Sequence, residues 1–82
     1  MSLHWFSPPV PVKTSLSHRY NVSSVEAAGE QLLKFTKRGA NWRRAVLACM
    51  AFGVGKVSAQ DVRTLFRLAA KEEGVLLSDR DD

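Results

Sequence analysis

Asn41-Trp42-Arg43-Arg44-Ala45-Val46-Leu47-Ala48-Cys49-Met50-Ala51-Phe52-Gly53-Val54-Gly55 is the most apolar long stretch of the chain and lies at its middle. Trp42, Ala45, Val46, Cys49, Phe52 and Gly53 recur at helical spacing, which predicts a helix over about 42–53 with Asn41 as its N-cap. Leu47, Ala48 and Met50 carry the apolar surface further around the cylinder. A helix apolar on most sides is central in its domain or shared with a partner chain. Arg43 and Arg44 fall in its first turn, where the helix dipole disfavours cations. That placement points to an anionic partner, or to a carboxylate supplied from elsewhere in the fold.

Two further helices flank this one. Ser23 with Glu26 three residues later has the form of a capping box, and Val25, Ala28, Leu32 and Leu33 continue it as a helix over about 24–37. Gly29 falls inside that helix, which suggests close approach by another element. Lys37-Arg38-Gly39 supplies cations and a glycine stop at its end. Downstream, Ser58 and Asp61 repeat the box before the stripe Val62, Leu65, Phe66, Ala69 and Ala70, a helix over about 59–73 stopped by Gly74. Arg63, Arg67 and Lys71 form a charged row on another face, read as solvated.

The N-terminal quarter has a different period. Val10, Val12 and Thr14 alternate with Pro11 and Lys13, and Tyr20 and Val22 alternate with Arg19 and Asn21. Two short strands with a loop at Ser15-Leu16-Ser17-His18 make an antiparallel hairpin over about 10–22. Pro11 lacks a ladder donor and so suits an edge strand. Val75-Leu76-Leu77 is a candidate third strand beside the hairpin. The expected fold is α+β: an N-terminal hairpin, three helices and that short strand. The 82 residues make one small domain over 1–82, with frayed ends at 1–7 and 78–82.

Composition removes several classes. One cysteine permits neither an intrachain disulfide nor a cysteine zinc site. No apolar run approaches the ~20 residues of a membrane span. The first nine residues lack the basic and apolar regions of a secretory signal, so a cytoplasmic location is the expectation. From Gln31 to Gln60 there is no acidic residue, while Lys34, Lys37, Arg38, Arg43, Arg44 and Lys56 concentrate positive charge. Such a patch attracts nucleic acid or another anion, or else is a solvated rim.

The order Trp5, Pro9-Val10-x-Val12, Val22-Ser23-Ser24-x-Glu26-Ala27, Leu32-Leu33, Trp42-x-x-Ala45-x-x-x-Cys49, Gly55, Val62-Arg63-x-x-Phe66-x-x-Ala69-Ala70 and Gly74-Val75 resembles the small bacterial domain of unknown function 982 family. The resemblance spans nearly the whole chain and rests on core and turn positions. One departure is Phe35-Thr36, where the family tends to place a Trp-Pro pair. The resemblance implies a short bacterial protein and no particular activity.

No chemical motif stands out. Gly53-Val54-Gly55-Lys56 lacks both the earlier glycine and the following Ser or Thr of a phosphate loop, since Met50 and Val57 occupy those positions. His4 and His18 have no ligand partners at metal spacing. Pro8-Pro9-Val10-Pro11 has a PxxP spacing without a preceding arginine. A Cys49–His18 nucleophilic pair stays open, although a thiol on a buried helix face is inert.

The chain therefore reads as a non-catalytic protein-interaction or self-associating module, without cofactor, metal or membrane. A homodimer or a small protein is the expected partner, and Arg43, Arg44, Leu47 and Met50 the interaction surface. The alternative is nucleic-acid binding by Lys34, Lys37, Arg38, Arg43, Arg44 and Lys56 with the second and third helices as a helix-turn-helix.

Overall fold

The computed structural model describes residues 4–14 and 18–77. Strands β1 (Trp5–Lys13) and β2 (Arg19–Ser24) form an antiparallel pair, followed by helices α1 (Val25–Lys34), α2 (Ala40–Gly53) and α3 (Ala59–Glu73). The expected hairpin and three helices are present, and the fold is α+β. The expected loop residues 15–17 and the tail 78–82 lie outside the described residues, as do residues 1–3.

The hairpin starts earlier than alternation alone predicts. Val10 pairs with Val22 and Val12 with Tyr20, and Trp5 pairs with Ser24 beyond a register shift. Five steps along β1 thus oppose two along β2, so the segment between Trp5 and Val10 bulges. Residues 4–7, expected to fray, are held instead. Phe6 is buried in the core, and the Val25 N–H donates to the His4 carbonyl at 2.8 Å. Two residues of α3 fasten the bulge: Gln60 Oε1 accepts from the Ser7 N–H at 2.9 Å, and Arg63 Nε donates to the Pro8 carbonyl at 2.6 Å.

β1 is not a simple edge strand. Lys13 N–H donates to the Val75 carbonyl at 2.8 Å and Leu77 N–H to the Pro11 carbonyl at 2.9 Å, flanking a Val12–Leu76 bridge. The third strand shrinks to that one bridge for a chemical reason. Pro11 has no N–H to return to residue 77. The Val75 N–H is already used by the Ala70 carbonyl, at 3.1 Å, in the C-cap of α3. Gly74 makes that cap as expected, at φ 84°, in the left-handed region.

Several helix boundaries differ from the sequence reading. Pairing of Ser24 with Trp5 keeps the chain extended through Ser24, so Ser24, not Ser23, caps α1 by accepting from the Ala27 N–H at 3.1 Å. Glu26 does not close a box; its carboxylate bonds the His4 ring. α1 stops at Lys34 instead of running to residue 37. Phe35 turns to extended backbone, and its ring stacks on Phe66 with centroids 5.9 Å apart. A Cβ built at Gly29 meets nothing within 4 Å, so no element closes on it. The Ser58–Asp61 capping box on α3 is present as expected.

α3 is the central helix: it packs against α2, α1 and both strands. Val62 and Phe66 are fully buried with Val10, Val12, Val22 and Leu32. Burial of this apolar set supplies the main stabilising term, at about 25 cal/mol per Å² removed from water.

Candidate interaction surface

The surface is built on the one helix whose ends do not complement its dipole. α2 has no acidic residue in its first turn and no basic residue in its last. Its N-cap is Gly39, not Asn41, and Gly39 has no side chain to offer. The missing carboxylate comes from α3. Glu72 Oε1 accepts from the Trp42 N–H at 3.2 Å, and Glu72 lies close enough to Gly39 that a Cβ there would be 2.7 Å from Oε2. Glu72 thus caps the start of α2, but no ion pair joins it to Arg43 or Arg44 among the described residues.

Neighbouring groups close the α1–α2 connection. Trp42 Nε1 donates to the Leu32 carbonyl at 2.8 Å, and Arg38 donates to the Phe35 and Leu33 carbonyls, each at 3.1 Å. The Arg38 guanidinium also lies over the Trp42 ring, 4.7 Å from its centroid. Two side chains beyond α1 therefore cap its C-terminal carbonyls. Glu73 accepts from the Thr36 and Lys37 N–H groups and the Thr36 hydroxyl at 2.7–3.1 Å. Burial pushes the Glu73 carboxyl up, but the Thr36 and Lys37 hydrogen bonds and the Lys37 charge outweigh it and hold the group below its ordinary value.

At 100° per residue, the core face of α2 carries the buried Ala45 and Ala48 and the half-buried Trp42, Cys49 and Phe52. Arg43, Leu47, Met50 and Val54 lie on the opposite side at spacings of four, three and four. Leu47, Met50 and Val54 are 57%, 65% and 70% exposed. Arg44, also exposed, flanks the stripe. The fold therefore brings Arg43, Arg44, Leu47 and Met50 to one surface. Val54 was missed as its fifth contributor, although the 43-47-50-54 spacing, close to a 3.5-residue seam, could have found it.

The candidate cationic set is less unified. Lys34, Lys37, Arg38, Arg43, Arg44 and Lys56 are all exposed, but they are spread over the end of α1, the following loop, the first half of α2 and the turn after it. Arg38 is committed to α1, as described. His4 stands edge-on to Phe52, with ring centroids 5.1 Å apart, and bonds Glu26. Cys49 is half-buried, burial pushes its thiol up, and no hydrogen bond joins it to His18 among the described residues. Among the described residues no group of three or more His, Cys, Asp or Glu could hold a metal ion. No helix there is long and apolar enough to cross a membrane.

Fold and surface define a small α+β domain with an N-terminal hairpin, a central third helix and an apolar stripe on its second. The chain belongs to the family described as "Protein of unknown function (DUF982)", whose model matches residues 8–77. No curated protein and no solved structure matches it.

Proposed function

We propose that this protein is a non-catalytic, cytoplasmic module that self-associates through α2, its partner being a second copy of the chain. The observation that carries this reading is the exposed stripe Leu47, Met50 and Val54, opposite the core face of the helix. A two-fold antiparallel pairing of α2 helices sets Leu47 against Met50 of the partner. It also brings Arg43 to the partner helix's C-terminal end, which is negative and has no cation in its last turn. Both oddities of α2, its surplus apolar side and its arginines at the positive end of the dipole, have one explanation in that arrangement.

Burying three such side chains contributes about 1–2 kcal/mol each at their present exposure, hence roughly 6–12 kcal/mol for a symmetric pair. Association costs at least about 4 kcal/mol, so a micromolar dimer is the upper end of what the stripe supports. Light scattering and sedimentation from tens of micromolar up to about 1 mM test this. The expected result is a dimer that Met50→Asp or Leu47→Asp converts to monomer with unchanged helix content. A wild-type chain that stays monomeric under those conditions removes the reading.

The alternative, nucleic-acid binding through Lys34, Lys37, Arg38, Arg43, Arg44 and Lys56, draws on the exposure of all six cations. Against a helix-turn-helix stands the engagement of α3's N-terminal side chains, since Gln60 and Arg63 already hold the β1 bulge. A low-salt gel shift that Arg43→Glu/Arg44→Glu abolishes favours this alternative; no shift at low salt excludes it.

A further inference from the structure

A cleft of about 400 Å³ opens between the C-terminal end of β1, α1 and the C-terminal end of α3. That volume falls within the range of small-molecule sites. Phe35 and Val75 give it apolar wall, and Lys13, Lys34 and Gln31 line it with donors. Gln31 is the one polar residue in the buried set, only 9% exposed, yet it makes no hydrogen bond among the described residues. None of the described buried side-chain polar atoms lacks a partner, so the Gln31 amide is the part of that residue that surfaces, and it surfaces at the cleft. An amide that reaches a cleft without a protein partner keeps its donors and acceptor free for water or for a ligand. The Lys13 and Lys34 ammonium groups also make no ion pair or hydrogen bond among the described residues.

We infer that this cleft binds a small organic monocarboxylate, its carboxylate held by Lys13, Lys34 and the Gln31 amide, and its apolar part against Phe35 and Val75. The charge balance selects a monoanion over a dianion. Two lysines meet one further charge on the rim, the Glu73 carboxylate, whose oxygens are already occupied by Thr36 and Lys37. One net positive charge matches a carboxylate better than a phosphate. The donors are also point charges and a single amide, with no arginine fork and no helix N-terminus lining the cleft.

The test is titration of the full chain with benzoate, and separately with inorganic phosphate, followed by ¹H–¹⁵N correlation spectra. A fragment of this size should bind with Kd on the order of 1 mM. The expected result is saturable shifts of the Gln31 side-chain amide and of the Lys13 and Phe35 backbone amides. Lys13→Gln/Lys34→Gln should weaken binding at least about tenfold, and Gln31→Leu should weaken it with the helix content unchanged. Shifts that do not saturate, an affinity unchanged in the double-lysine variant, or tighter binding of phosphate than of benzoate would each overturn the inference.

Discussion

Gly39 and Glu72 should behave as one coupled device. The backbone of Gly39, at φ −87°, is open to any residue, so what favours glycine there is the Glu72 carboxylate pressed against it. Glu72→Ala removes the acceptor of the Trp42 N–H, the carboxylate that stands in for a cap on α2. Losing a cap of this kind costs about 1 kcal/mol, with a range of roughly 0.5–2. Gly39→Ala displaces the same carboxylate and forfeits the same contribution. It also restricts the unfolded chain, which stabilises by about 0.4–1 kcal/mol, but alanine is a poorer N-cap than glycine by a similar amount, so the net effect should be a loss of about 1 kcal/mol. In the Glu72→Ala background there is no carboxylate to displace, and only the restriction and the poorer N-cap remain, with opposite signs. Gly39→Ala should then be nearly neutral, a coupling of about 1 kcal/mol between the two positions. Urea unfolding of the four chains, followed by far-ultraviolet circular dichroism, measures it. Glu72→Ala alone should lower Tm by about 4–8 °C for each kcal/mol lost. Additivity of the two substitutions within about 0.3 kcal/mol would refute the coupling.

Acid should expose the contribution of Glu73. Its folded carboxyl is lowered from an ordinary value of 4.5, so its stabilisation is complete above that pH and is lost as pH falls through the folded value. Glu73→Gln should lose stability near neutrality and show a flatter decline below pH 4.5; an unchanged acid profile counts against the Thr36–Lys37 clamp. Cys49, its thiol raised by burial, should react with iodoacetamide more slowly in the native chain than in the urea-unfolded chain at the same mildly alkaline pH. Equal rates would mean that the Cys49 side of α2 is open to reagent.

What could be read from the chain was what near neighbours decide. The period-two run through Val10 and Val12, the 3–4 spacing of α2 and α3, the Ser58–Asp61 box and the Gly74 stop all depend on residues within a few positions of one another. The apolar side of Leu47 and Met50 was legible for the same reason, because helical geometry alone puts them opposite Ala45. What tertiary structure decided lies where a group's partner is far along the chain. Ser24 replaced Ser23 as cap because Trp5 pairs with it across the sheet. α1 ended at Lys34 because Phe35 is drawn onto Phe66, and Arg38 and Trp42 close its carbonyls from outside. The carboxylate for α2 came from Glu72, thirty residues beyond the Trp42 amide that it accepts from. Gln31 followed no apolar pattern, and only the packing of β1, α1 and α3 made it part of the lining of a cleft. Sequence spacing fixes which residues share a face, whereas backbone donors and acceptors at element ends take whatever partner the packed fold brings within reach.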